Sequence, residues 1–144
     1  MTDDRFTPRP VAGWFIIAAI AALLFMGLGL VSFLMHVLTD PASLPLDQRA
    51  AIDAEPLWVR AAYGIAVFAG LGGAILLVMK RRAAEWLLLI SLVAVLVWLA
   101  GLVLVGPLRE AMSANDLLVA IVVTALTWTV YWFARHSRQR GWLR

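Results

Sequence analysis

Hydrophobic residues in this chain gather into four long runs, Val11–Met35, Leu57–Met79, Trp86–Val105 and Leu117–Ala134, and nearly all charged residues fall between them. A run of about 20 apolar residues rising ~1.5 Å each matches the ~30 Å hydrocarbon core of a bilayer. The pattern therefore predicts an all-α membrane protein, an antiparallel four-transmembrane-helix bundle filling a single domain over 1–144. The first run is long for the apolar part of a secretory signal and no small-x-small cleavage site follows Met35, so it reads as a retained anchor.

Punctuation between the runs refines the elements. Pro10 suits a first helical turn, and Trp14 sits where an interfacial aromatic would anchor span one. The connection Val37–Pro56 carries Pro41, Pro45 and Pro56, and LDQRAAIDAE within it predicts about two turns of surface helix. Pro56 opens span two, with Trp58 at the interface and Arg60 reaching outward to water. Gly106-Pro107 stops span three, and Ser113-Ala-Asn-Asp116 has the form of a capping box ahead of span four. The last helix is expected to run on through RHSRQR until Gly141.

Small residues mark one helix face. Ala62, Ala66, Gly70 and Ala74 recur every four residues along span two, and Ala69 and Gly73 widen the stripe. Membrane helices gain dispersion contacts by close backbone approach, so this face is expected to pack on another helix, from this chain or from a partner. A weaker counterpart lies in Ala18, Ala22 and Gly29 of span one.

Composition agrees with the pattern. Of 144 residues, 63% are hydrophobic, against roughly 45–50% in soluble domains, and the mean hydropathy is +0.90. The formal charge of +3 follows topology and gives no reason to expect nucleic acid. Arg5 and Arg9, Lys80, Arg81 and Arg82, and Arg135, Arg138, Arg140 and Arg144 all fall at one end of the predicted bundle, against Arg49, Arg60 and Arg109 at the other. Such a bias predicts a bacterial inner-membrane protein with both termini cytoplasmic, its basic residues Lys80, Arg81, Arg82, Arg135, Arg138 and Arg140 meeting lipid headgroups.

The chemistry visible in the runs is sparse. Cysteine is absent, so thiol redox chemistry and thiolate metal sites are excluded. No acid or base occupies the middle of a span, unlike small multidrug carriers with their membrane-embedded glutamate. His36 and His136 lie at opposite ends of the bundle, unlike the facing pairs of four-helix cytochromes; His36 remains either a lone pigment or haem ligand or a polar residue at a helix end. Thr124, Thr127 and Trp128 form a candidate polar cavity, with the competing reading that each threonine bonds its own helix carbonyl four residues back. Trp98 and Trp128 either fill gaps or stack on a ring-shaped ligand.

The residues PLDQ at Pro45–Gln48, Pro56 with Trp58, the run Gly70–Leu77, KRR at Lys80–Arg82 and Ser91-Leu92 resemble a group of small four-span proteobacterial membrane proteins often labelled sugar transporters. That family's outer-loop aromatics are replaced here by Ala50, Ala51 and Ile52. The resemblance implies the four-span fold, the inner-membrane location and, by its label, sugar transport. Two functions are expected from the whole. One is a non-enzymatic accessory subunit that packs on a larger membrane complex or on its own copies through the small-residue face. The other is an oligomeric facilitator of a small neutral solute such as a sugar. No nucleophile–base or metal constellation is visible, so neither catalysis nor a cofactor is expected.

Overall fold

The structure, a computed structural model, describes residues 10–144. Arg5 and Arg9 of the sequence-based charge argument lie outside the described residues. The described residues form six α-helices: α1 Trp14–Leu38, α2 Leu46–Ala54, α3 Leu57–Val78, α4 Ala83–Leu104, α5 Gly106–Ala111 and α6 Ala114–Gln139, with a 3₁₀ turn at Pro41–Ser43. Four of them, α1, α3, α4 and α6, are long and apolar enough to cross a membrane. Their outward faces carry large apolar side chains, such as Ile17, Leu24, Phe68, Val93 and Val119, as a lipid-facing surface requires.

Local signals place the ends. α1 begins at Trp14, not in a turn opened by Pro10, with Gly13 as the residue before it. It runs to Leu38, where Thr39 turns extended and directs both its backbone N–H and its hydroxyl to the Met35 carbonyl. Pro56 immediately precedes α3, and the Ser113–Asp116 capping box starts α6, closed in both directions. Both helices that end at the KRR turn and the C-terminal segment close with the same pair of bonds. Lys80 N–H donates to the Leu77 carbonyl and Arg81 N–H to Leu76, while Gly141 N–H donates to Arg138 and Trp142 N–H to Ser137. This double closure needs a left-handed residue just past the helix, a role taken by Gly141 at φ 73° and by Lys80 at φ 57°.

The spans are arranged in the order α1, α3, α4, α6, each packing on the next. The small-residue stripe is consumed at the centre of this row. A Cβ at Gly73 would stand 2.7 Å from Leu88 Cγ and 3.1 Å from the Leu88 backbone nitrogen, and one at Gly70 would stand 2.7 Å from Met26 Sδ and 2.8 Å from Ser91 Oγ. Ala62, Ala66 and Ala74 are buried and Ala69 is partly buried, so the stripe joins α3 to α1 and α4 of the same chain. Ser91 adds a polar clasp, its hydroxyl donating to the Ala66 carbonyl at 2.6 Å.

The two ends of the bundle differ. At the end holding the KRR turn, here the terminal end, α1 and α6 lean together through Phe15 and Phe133, whose ring centroids are 5.5 Å apart. Trp142 packs edge-on against Trp14 and Phe15. Arg144 N–H reaches the Lys80 carbonyl at 2.6 Å and Arg82 N–H the Arg144 carbonyl at 2.8 Å, which seats Trp142 and Leu143 in the core. At the opposite, loop end, α2 and α5 pack on one another instead.

Candidate functional site

Because α1 and α6 flank the α3–α4 pair and meet through aromatic rings at the terminal end, the space between them widens toward the loop end. It forms a cavity of about 920 Å³, within the ~300–1,000 Å³ range of small-molecule sites. Gly29 and Met35 of α1 border it on one side and Val119 and Val123 of α6 on the other, with Ala66, Val67, Ser91 and Val95 as its floor. Met35 and Val119 are also exposed on the bundle surface, so the cavity opens sideways between α1 and α6. α2 and α5 cover its loop end through Gln48, Ala51, Ile52, Leu108 and Ala111.

The polar groups of the cavity cluster at that loop end. His36 comes from the last turn of α1, and its Nε2 lies 2.8 Å from Glu55 Oε2. Glu55 terminates α2 and its side chain is only 6% exposed, while Arg60 Nε approaches the same oxygen at 3.3 Å. Burial pushes the Glu55 carboxyl up, but the hydrogen bond and charge of His36, joined by those of Arg60, outweigh it and hold the group below its ordinary value. Tyr63, two turns into α3, stacks on Trp98 with centroids 5.2 Å apart and meets the His36 ring edge-on at 6.1 Å. The arrangement is a polar, aromatic cap over an apolar trough.

The sequence-predicted residues divide. Thr127 is buried and lines the cavity, but its hydroxyl donates to the Val123 carbonyl, and Thr124 does the same with Ala120 outside the lining. Trp128 is 58% exposed on the bundle surface, so the trio Thr124, Thr127 and Trp128 does not form one site. A helix of 3.6 residues per turn carries position 128 about 100° away from position 127. His36 neither caps its helix nor stands alone. Among the described residues, no three His, Asp or Glu side chains gather as a metal site would.

The basic residues hold the terminal end. Lys80, Arg81 and Arg82 form the α3–α4 turn, Arg138 pairs with Glu85 of α4, Arg135 is exposed on α6 and Arg140 is exposed just past its end. Arg60 reaches outward as its sequence position suggested and also holds Glu55. The sequence argument overlooked Glu55, Tyr63 and Asp47. The available signal was Glu55 beside the helix-opening Pro56 with Arg60 one turn on, an acid and base flanking a membrane entry point.

These features define a four-helix fold with a laterally open, polar-capped cavity. No protein-family model, no curated protein and no solved structure matches the chain.

Proposed function

We propose that this protein is a non-enzymatic binding protein for a membrane-borne amphiphile. The observation that carries the reading is the cavity's sideways opening between α1 and α6, with apolar walls in the span region and polar groups gathered at the loop end. A molecule already dissolved in the bilayer would enter between the helices, lay its tail along Gly29, Val119 and Val123, and bring its head to the His36, Glu55 and Tyr63 cap. A tail already in the bilayer exchanges one apolar surrounding for another and gains little from the trough walls, so the polar cap supplies the selectivity.

The accessory-subunit expectation drew on the small-residue stripe, and that stripe is spent on α1 and α4 of the same chain. The sugar-facilitator expectation drew on Thr124, Thr127 and Trp128, which part company in the fold, and the aromatic cluster Phe15, Phe133 and Trp142 stops the cavity at the terminal end. The grouping of Lys80, Arg81, Arg82, Arg135, Arg138 and Arg140 at that end supports a cytoplasmic terminal end in a bacterial inner membrane, with the cavity cap on the periplasmic side.

The chain's lack of cysteine permits a direct test. A fluorophore attached through Gly29→Cys reports from the cavity wall, and one attached through Val97→Cys reports from the lipid-exposed face of α4. With the protein in phosphatidylcholine nanodiscs, a nitroxide-bearing decanol is expected to quench the position-29 label saturably and the position-97 label linearly. Equal linear quenching at both positions would contradict the proposal.

A further inference from the structure

The charges around the cavity narrow the amphiphile's class, an inference that rests on the binding reading above. Asp47, Glu55 and Asp116 all line the cavity, and among the described residues no lysine or arginine does. Glu55 is matched by His36 and Arg60, but among the described residues neither Asp47 nor Asp116 pairs with a cation. Asp116 accepts hydrogen bonds from the Ser113 backbone N–H at 2.9 Å and hydroxyl at 2.8 Å, which hold its carboxylate at the start of α6 without neutralising it. Asp47 sits in the first turn of α2 and lines the same cavity. The Tyr63–Trp98 stack offers aromatic surface to the same space.

Carboxylates beside aromatic faces in an otherwise apolar trough are the surroundings that favour a weakly hydrated cation. A positively charged head gains Coulomb attraction from Asp47 and Asp116 together with the ring quadrupoles. An anionic head would meet the Asp47 and Asp116 carboxylates and, among the described residues, find His36 as the one basic side chain in the lining, already engaged by Glu55. We infer that the cavity takes a hydrophobic monocation, a protonated amine or quaternary ammonium on an apolar tail, with its head between Asp47 and Asp116. The wider surroundings favour the same sign, since Asp40, Asp47, Asp53, Glu55, Glu110 and Asp116 outnumber Arg49, Arg60 and Arg109 in the segments at the loop end.

The test uses three radiolabelled probes with one tail, decyltrimethylammonium, decanol and decyl sulfate, equilibrated with the protein in phosphatidylcholine nanodiscs and corrected for uptake by empty discs. The ammonium probe is expected to bind saturably and about tenfold tighter than decanol, with decyl sulfate weakest. Asp47→Asn is expected to weaken the ammonium probe about fivefold, the effect of one partly exposed charge pair, and decanol by much less, with an unshifted thermal unfolding temperature as the control for folding. Decanol binding as tightly as the ammonium, decyl sulfate binding more tightly, or an Asp47→Asn protein that keeps full ammonium affinity would overturn the cationic assignment and leave the amphiphile reading standing. Absence of saturable binding by all three probes would overturn both.

Discussion

At the scale of single residues, Glu55 and Lys80 show how local chemistry sets the loop and terminal ends. Glu55 is nearly buried, yet His36 and Arg60 keep its carboxyl below the ordinary value of about 4.3. A depressed native value means the unfolded chain takes up the proton first as pH falls. The group's stabilisation is therefore complete above about pH 5 and is lost as pH drops through the native value. Thermal unfolding of the detergent-solubilised protein should show the gap between wild type and Glu55→Gln widest at neutral pH and shrinking as the pH falls below about 5. Lys80 has the opposite character, since its left-handed backbone strains a residue with a Cβ. Lys80→Gly should raise the unfolding temperature, with a gain of up to about 1 kcal/mol after glycine's greater freedom in the unfolded chain is counted.

At the scale of elements, close backbone approach organises the bundle. Gly73 faces the backbone of α4 with no room for a methyl group, whereas Gly27 has nothing within 4 Å of where its Cβ would stand. Gly73→Leu should therefore destabilise the protein by more than about 2 kcal/mol in a denaturing-detergent titration, while Gly27→Leu should be nearly neutral. Ser91→Ala should cost only about 0.6 kcal/mol, the usual worth of a hydrogen bond between membrane helices. The spans were legible in the sequence because lipid demands long apolar helices, and the α3 stripe was legible because small residues repeat with the helix turn. Helix ends were legible in part. α6 runs past Ala134 to Gln139, as RHSRQR ahead of Gly141 implied, whereas α1 starts at Trp14 and leaves Val11 and Ala12 outside the helix.

At the scale of the whole molecule, the cavity follows from the order of the helices. α3 and α4 occupy the middle of the row, so α1 and α6 share little surface except where Phe15, Phe133 and Trp142 interlock. This was not legible from the runs, which carry no information on neighbour order beyond the tight KRR turn. The site was hidden for the same reason, since His36 and Glu55 are 19 residues apart and meet only when the α2 connection folds back over the bundle. Gly29 borders the cavity with open space before it, so Gly29→Trp should fill the trough without disturbing the helix contacts that hold the fold. The most direct measurement is native mass spectrometry of wild-type and Gly29→Trp protein released from their host membrane under mild detergent. The account predicts a one-to-one adduct with a small amphiphile on the wild type that the equally folded variant has lost. A wild-type protein free of any such adduct, or an adduct retained in full by Gly29→Trp, would contradict it.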